Sequence, residues 1–216
     1  MTFSAPSLLV ATRNAGKLRE MGPMVAAAGF HPVSLADAGV VHSDEEDALE
    51  AFDTFEENAL AKARWFQRLS QTSAGLGVLA DDSGLVVQAL GGTPGVRSKR
   101  WSGSTLSGAA LDDENNHMLV RALRDTSNRR AKYVCVAAIV WPGGELLARG
   151  ECTGVVVETP RGESGFGYDS HFMSDDLGMT FGEAGDDEKG RVSHRARAVR
   201  RVLEQYLANV TRRASP

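Results

Sequence analysis

Residues 131–158 read AKYVCVAAIVWPGGELLARGECTGVVVE, and this stretch decides the fold class. Two β-rich runs, 131–141 and 145–158, flank a Pro-Gly-Gly segment, which is typical of a β-hairpin. Upstream of it, strand-like and helix-like segments alternate, as they do in domains where helices cover a sheet. The hairpin adds an antiparallel pair to that sheet. The sequence therefore predicts a mixed α/β domain.

The N-terminal part supplies the first alternating elements. The apolar run Leu8–Ala11 predicts a buried strand that ends in the polar turn of residues 12–17. Residues 17–29 follow a helical spacing, with Pro23 inside them. Because an interior proline costs a helix ~3 kcal/mol, we expect Pro23 to kink this helix or displace its start. A second strand is predicted over residues 31–35.

The remaining elements follow in order along the chain. Thr54-Phe55-Glu56-Glu57 fits a capping box at the start of a helix that runs to about Ser70. The acidic segment before it, Asp44-Glu45-Glu46-Asp47, is typical of a solvated loop or helix face. Further predicted elements are strands over 77–80 and 85–90, a helix over 108–125, a loop over 162–169 and a terminal helix over 186–209.

Composition limits the class of protein. The chain has 216 residues, of which 42% are hydrophobic and 24% charged, and its formal net charge is −4. An acidic chain is a poor general polyanion binder, and no stretch approaches the ~20 apolar residues that cross a membrane. We therefore expect no nucleic-acid or membrane partner. Since Cys135 and Cys152 lie in strand-like runs, we expect buried free thiols and a cytoplasmic location rather than a disulfide.

The first polar cluster is Thr12-Arg13-Asn14-Ala15-Gly16-Lys17, between a strand and a helix. Backbone N–H groups at a helix start and a lysine ammonium suit phosphate oxygens. The spacing is not that of a Walker A loop. The alternative is an ordinary strand-to-helix turn with an exposed lysine.

The second cluster consists of Glu57 and Asp81-Asp82-Ser83-Gly84. Carboxylates hold Mg²⁺ one or two at a time, while phosphates and water complete the octahedron. Neighbouring aspartates of a strand point in different directions, so one can bind metal while the other faces substrate. The alternative for Glu57 is that it serves the capping box alone.

The third and fourth clusters lie near the C-terminus. Gly162–Asp169 alternates glycines with Phe166 and Tyr168, whose rings can stack on a base, unless they turn into the core. Lys189 and the Ser193-His194-Arg195 run offer cationic donors, or else form an ordinary basic helix face. The other histidines lack a partner at ligand spacing.

Together these clusters resemble the inosine triphosphate pyrophosphatase family, also called Ham1-like or non-canonical purine NTP pyrophosphatases. Five segments carry the resemblance in order: TRNAGK at 12–17, TFEENA at 54–59, ADDSGL at 80–85, GFGYD at 165–169, and Lys189 with SHR at 193–195. Each segment alone is weak evidence. The ordered set spans about residues 8–207.

The resemblance implies an activity and an architecture. Family members hydrolyse ITP, dITP and XTP to the monophosphate and pyrophosphate with Mg²⁺, and they are typically homodimers. The implied fold is α/β: an elongated mixed sheet with flanking helices that form two lobes around a central cleft. The whole chain, residues 1–216, would be one such domain.

The resemblance also implies roles for individual residues. Asp82 would be the catalytic base and a metal ligand. Glu57 and Asp81 would lie close to the metal, and either Glu57 or Asp81 would be the second direct ligand. The substrate-binding residues would be Thr12, Arg13, Asn14, Ala15, Gly16, Lys17, Ser83, Phe166, Gly167, Tyr168, Asp169, Lys189, His194 and Arg195. A hypoxanthine or xanthine base presents its 6-oxygen as an acceptor, so cationic donors favour it over adenine.

Departures from the family pattern bear on substrate preference and dimer contacts, and two of them lie directly after matched segments. Ser170 stands where the family often has proline, and Ala196 where it often has glycine. A second reading keeps the reaction with a modified pyrimidine or a canonical dNTP as substrate. A third is a nucleotide-binding module without turnover, against which the three acids argue, because binding alone needs no base.

Overall fold

The computed structural model describes residues 5–70 and 77–214, excepting the side chains of Asp47, Ser70 and 212–214. Within them lie six strands and five α-helices. The strands are β1 (Ser7–Val10), β2 (His31–Ser34), β3 (Gly77–Val87), β4 (Arg130–Trp141), β5 (Gly144–Val156) and β6 (Phe172–Ser174). The helices are α1 (Ala15–Ala27), α2 (Phe55–Ser70), α3 (Gly108–Ala122), α4 (Asp186–Val192) and α5 (His194–Ala214). Short 3-10 helices cover Asp44–Glu50, Gln88–Leu90 and Gly95–Arg100.

The strands form one mixed sheet in the order β2-β1-β3-β4-β5-β6. Strand β1 runs parallel to both neighbours, with Leu9 opposite Val33 of β2 and Val78 of β3. Helices α1 and α2 make these parallel connections, as βαβ units require. At the other edge β5 and β6 are antiparallel, with Val155 opposite Met173. The predicted mixed α/β class is confirmed.

The predicted hairpin is also confirmed. Only Pro142 and Gly143 separate β4 from β5, so the two neighbouring strands run in opposite directions. The loop over 162–169 contains neither helix nor strand, as expected. Both cysteines are buried and free.

The chain divides into two compact units. Unit 1 contains the described residues among 1–82, 135–150 and 195–216, and unit 2 those among 83–134 and 151–194. The prediction that they are two lobes of one domain with a cleft stays a prediction. Across the described residues, no helix is both long and apolar enough to cross a bilayer.

Each unit has its own apolar core. In unit 1, β1, β3 and β4 pack with α1 and α5, through buried residues that include Leu8, Leu79, Ile139, Val25 and Leu203. In unit 2, β3, β4 and β5 pack with α3, through buried residues that include Leu85, Tyr133, Cys152, Leu119 and Phe172. Burial of these side chains removes apolar surface from water, which is the main stabilising term in folding.

Three predicted elements differ from the structure. The two strands expected around Asp81-Asp82-Ser83-Gly84 are one continuous strand, β3, because its sequence is buried along almost its whole length. The terminal helix is two helices, since Ser193 takes extended backbone angles, φ −64° and ψ 153°. Pro23 lies inside α1, which begins two residues earlier than predicted, so the proline neither starts nor ends the helix.

Candidate functional site

The turn after β1 is organised by its own polar side chains. Asn14 caps α1, accepting through Oδ1 from the Lys17 N–H at 3.0 Å. The Thr12 hydroxyl accepts from the Asn14 N–H at 3.2 Å. Ala15 and Gly16 are the first two residues of α1, so their amides stand at the positive end of the helix dipole. The turn therefore has the geometry that binds anions.

Arg13 has a different environment from its neighbours. Its Nε and Nη2 donate to both carboxylate oxygens of Glu46, at 3.0 and 2.7 Å, and its Nη1 donates to the Val40 carbonyl. The hydrogen bond from Arg13 lowers the pKa of Glu46 although its partial burial opposes this. Arg13 thus ties the turn to the 3-10 helix Asp44–Glu50.

Asp81 is the centre of a buried ion-pair network in unit 1. Its Oδ2 lies 3.1 Å from the Lys17 ammonium and 3.1 Å from Nε of Arg195. The Cys135 thiol donates to the same oxygen at 3.7 Å. Burial alone would raise the pKa of Asp81, but Lys17, Arg195 and Lys62 together lower it well below its usual range.

Arg195 bridges two acids. Besides Asp81 it contacts Glu20 of α1, with Nη1 donating to Oε2 of Glu20. Burial opposes its charge, but Glu20 and Asp81 raise the pKa of Arg195. Since only 2% of its side chain is exposed, Arg195 is held as part of the network rather than on a basic surface.

Asp82, the next residue on β3, has different hydrogen-bond partners from Asp81. Its Oδ2 accepts from Nδ2 of Asn58 at 3.0 Å, and its Oδ1 lies 3.6 Å from the Lys62 ammonium. Burial raises the pKa of Asp82, and the nearby Lys62 and Lys17 only partly offset this. Adjacent aspartates therefore have opposite pKa shifts.

Lys62, Asn58 and Glu50 are residues that the sequence analysis missed. Lys62 Nζ lies 2.9 Å from Oε1 of Glu50 and also donates to the Asp81 carbonyl. Burial opposes the charge of Lys62, but the surrounding acids raise its pKa. The sequence alone did not mark them, because the i, i+4 spacing of Asn58 and Lys62 is informative only once both are seen to be buried on α2.

Glu57 lies elsewhere on α2. Its N–H donates to the Thr54 hydroxyl at 3.2 Å, as in the predicted capping box, and the same hydroxyl lies 2.7 Å from Glu57 Oε2. Glu57 is exposed, whereas its neighbour Asn58 is buried against Asp82. The structure therefore brings Asp81 and Asp82 together with lysines and an asparagine, and places Glu57 at the helix start.

The two buried aspartates fit a hard divalent cation. Within the described part of the chain, Oδ1 of Asp81 is buried and accepts no hydrogen bond. Asp82 carries a carboxylate whose burial disfavours its charge unless a cation is near. Among the described residues there is no group of three or more His, Cys, Asp or Glu side chains at metal-binding distances. Two carboxylates suffice for Mg²⁺ when phosphates and water complete its shell.

In unit 2, Asp169 organises the glycine-rich loop. Its Oδ2 accepts from the Phe166 N–H at 2.9 Å and from the Lys189 ammonium at 2.5 Å. The Lys189 ammonium also lies 5.0 Å from the centre of the Phe166 ring, a cation–π distance. Three residues predicted from two separate segments are thus brought together.

Tyr168 and His194 lie in the interior of unit 2. Tyr168 donates its hydroxyl to the Ser98 carbonyl at 2.8 Å, so its ring packs into the core, as the alternative expectation had it. Burial raises the pKa of Tyr168. His194 stacks on Tyr133, with ring centres 4.4 Å apart and planes 5° apart. Ser83, half-buried, follows Asp82 on β3.

The comparison with known proteins identifies the family. The model of the Ham1 family matches residues 8–205 of this chain.

The chain belongs to the Ham1 family.

Named relatives of this Ham1-family chain match it almost end to end. The dITP/XTP pyrophosphatase of Symbiobacterium thermophilum is 45% identical, over 95% of this chain and 98% of the relative. The dITP/XTP pyrophosphatase of Nitrosomonas europaea is 40% identical, over 94% of this chain and 96% of the relative. The solved Staphylococcus aureus Ham1 protein has a TM-score of 0.76 and 30% identity, and the match covers 94% of this chain and 99% of that one.

The two departures from the family pattern have defined places in this Ham1-family chain. Ser170 contributes its carbonyl, which accepts from the Arg161 N–H at 2.9 Å. Ala196 is fully buried in α5, where its methyl group packs in the interior. Neither change removes a side chain of the aspartate network or of the glycine-rich loop.

Proposed function

We propose that this protein is a nucleoside-triphosphate pyrophosphatase that hydrolyses dITP, ITP and XTP to the monophosphate and pyrophosphate. Membership of the Ham1 family supports this, as do the relatives named dITP/XTP pyrophosphatases. The observation that carries the proposal is the pair Asp81 and Asp82, adjacent residues whose environments move their pKa values in opposite directions. Pairs of titratable groups whose environments move their pKa values apart are typical of acid–base sites.

Asp82 is the proposed general base. Its raised pKa makes it a better proton acceptor than an ordinary aspartate, and Asn58 and Lys62 hold its carboxylate in place. It takes a proton from water while the water oxygen bonds to the α-phosphorus. The bond from that phosphorus to the α–β bridging oxygen breaks, and pyrophosphate leaves with the electron pair.

The turn of residues 12–17 is proposed to bind the triphosphate. The amides at the start of α1 and the Lys17 ammonium supply donors and positive charge. Thr12 and Asn14 hold the turn in shape through their hydrogen bonds. Arg13 supports the position of the turn through its ion pair with Glu46.

Mg²⁺ is the proposed cofactor, held by Asp82 and Asp81 with Glu57 as a further ligand. The buried acceptor Oδ1 of Asp81 and the carboxylate of Asp82 support the first two. When bound, the ion would neutralise phosphate charge as the leaving group develops. The lysines and Arg195 supply the rest of the positive charge around the two aspartates.

Phe166, Asp169 and Lys189 are proposed to recognise the base, with Gly167, Tyr168 and His194 supporting their arrangement. Lys189 donates but cannot accept, which suits the 6-oxygen of hypoxanthine or xanthine and disfavours the 6-amino group of adenine. Phe166 offers a half-buried ring face for stacking.

The deciding experiment tests the identity of the product and the substrate class together. The purified protein is incubated with dITP, ITP, XTP, dATP and dGTP, with Mg²⁺ or with EDTA, and pyrophosphate and orthophosphate are measured separately. We expect pyrophosphate from the three non-canonical nucleotides, in Mg²⁺ only. Orthophosphate as the product would contradict the bond assignment, and equal rates with dATP and dITP would contradict the substrate class.

We further propose a homodimer in the cytoplasm that binds neither nucleic acid nor membranes. The family resemblance supports the dimer. The two free buried cysteines support a reducing compartment. The net charge of −4 supports the lack of a polyanion partner. Light scattering after gel filtration tests the dimer.

A further inference from the structure

One turn of α3 holds the peptide groups around Gly167 from two sides. Oδ2 of Asp112 accepts from the Gly167 N–H at 2.7 Å. Nδ2 of Asn116 donates to the Gly167 carbonyl at 2.9 Å. The two side chains are spaced i, i+4, so one face of the helix presents both. All three residues belong to unit 2.

The segment that these bonds hold has little other regular support. Gly165 and Gly167 both adopt the left-handed region, with φ of 81° and 65°, so no strand or helix ladder runs through it. Asp169 fixes the Phe166 N–H from within the loop. Asp112 and Asn116 fix the next residue from outside it, and together these bonds determine the course of the backbone between Phe166 and Asp169.

The same helical turn also holds a second segment. Nδ2 of Asn115 donates to the Lys99 carbonyl at 3.1 Å, and its Oδ1 accepts from the Ser102 N–H at 2.9 Å. The Ser98 carbonyl, one residue before Lys99, accepts the Tyr168 hydroxyl. Helix α3 is therefore the element to which both the glycine-rich loop and the partner of its tyrosine are attached.

We propose that Asp112 and Asn116 are positioning residues for base recognition. By holding Gly167 they fix the position of the Phe166 ring. They also fix the position of the Asp169 carboxylate, which in turn holds the Lys189 ammonium. This rests on the proposed function, because it takes the loop of residues 166–169 as the part that reads the base. The hydrolytic step belongs to Asp82 in unit 1, so loosening the loop weakens substrate selection and leaves the chemical step nearly intact.

The test compares Asp112→Ala with Asp112→Asn, which keeps an acceptor for the Gly167 N–H. Asp113→Ala is the matched control, since Asp113 is the exposed neighbour on the same helix. For Asp112→Ala we expect KM for dITP to rise about tenfold, the effect of one lost buried hydrogen bond, with kcat within about twofold. Asp112→Asn should recover most of the KM, and Asn116→Ala should shift it in the same direction as Asp112→Ala.

Hydrogen exchange supplies a readout that needs no substrate. In Asp112→Ala, amide exchange in a peptide spanning 163–170 should accelerate about tenfold or more, while Asp113→Ala exchanges like wild type. Unchanged exchange in Asp112→Ala overturns the positioning role whatever the substrate is. Loss of kcat with unchanged KM, or Asp112→Asn behaving like Asp112→Ala, also overturns it. A wild type that releases no pyrophosphate while exchange behaves as expected overturns the proposed function alone.

Discussion

Arg195 donates from Nε to Oδ2 of Asp81 at 3.1 Å, and so joins the first turn of α5 to the middle of β3. Both side chains are almost completely buried. A buried ion pair of this kind stabilises only when its geometry satisfies both partners. Here Lys17 and Glu20 complete the network, which explains why a basic residue next to a proposed catalytic strand is sequestered from solvent.

Removing Arg195 should destabilise the protein strongly. Arg195→Met leaves Asp81 and Glu20 with one cation fewer in a buried setting, and such losses cost about 3–5 kcal/mol. We expect that decrease in the free energy of unfolding in urea. Arg197→Met, an exposed residue on the same helix, is the control and should change it by less than about 0.5 kcal/mol. A similar decrease in the free energy of unfolding in both variants would show that the buried network stabilises the protein no more than an exposed arginine does.

Replacing Asp82 should lower turnover by orders of magnitude and largely preserve nucleotide binding. In Asp82→Asn the side chain keeps its size and its contact with Asn58 but cannot take a proton from water. We expect kcat to fall about 10²- to 10⁴-fold. Binding of a non-hydrolysable dITP analogue, measured by calorimetry in EDTA so that metal ligation by Asp82 does not contribute, should stay within about threefold, or about 0.7 kcal/mol.

The control for that substitution is Asp53→Asn, an exposed aspartate in unit 1. It should keep wild-type turnover. An Asp82→Asn enzyme with a near-wild-type rate would remove Asp82 from the role of general base.

The pH dependence of stability should reveal Asp81. Its pKa is lowered in the folded protein, so between its folded and unfolded values the unfolded state binds more protons. Its contribution is therefore fully present above the ordinary aspartate pKa of 3.8 and is lost as pH falls below it. We expect urea unfolding in EDTA between pH 6 and about pH 3 to show a smaller pH slope for Asp81→Asn than for wild type.

Asp53→Asn again controls for the loss of one carboxylate. It lies in the same unit but outside the buried network. Identical slopes for wild type and Asp81→Asn would mean that Lys17 and Arg195 do not hold Asp81 ionised.

Gly165 should not tolerate a side chain. A Cβ there would lie 2.1 Å from Oδ2 of Asp169, and the residue has a φ of 81°. Gly165→Ala should push Asp169 away from the Phe166 N–H and Lys189, raising KM for dITP and lowering the melting temperature. Gly178→Ala is a matched control, because Gly178 has a φ of 68° but its Cβ would meet nothing within 4 Å.

Backbone strain alone costs about 1–3 kcal/mol, and both alanine variants share it. The difference between them measures the clash with Asp169. Equal melting temperatures and equal KM values would mean that the loop accommodates the methyl group freely.

Local structure was largely predictable from local sequence. The strand-turn-helix at residues 8–17, the start of α2 at Thr54 and the β4–β5 hairpin each depend on a few consecutive residues. Caps and turns act over such distances, so their sequence patterns carry the information. The single strand β3 was not predicted because Asp81-Asp82-Ser83-Gly84 has turn-like composition, and its burial within a sheet overrides that preference.

The candidate site was predictable in its members but not in their partners. The ordered segments from 12–17 to 193–195 identified the family and named Asp81, Asp82, Asp169 and Lys189. Lys62 and Glu50 were missed because a lysine and a glutamate on separate elements have no spacing that marks them as a pair. Only packing shows that Lys62 meets Asp82.

The amino-acid sequence by itself determined the mixed α/β class, the turns and caps, and membership of the Ham1 family, since these are recorded in consecutive residues or ordered motifs. Tertiary structure alone decided which charges meet. Arg195 and Asp81 are 114 positions apart, and Tyr168 reaches Ser98 across 70. Ionisation in a folded protein depends on burial and on charges a few ångströms away, and neither quantity is a function of distance along the chain.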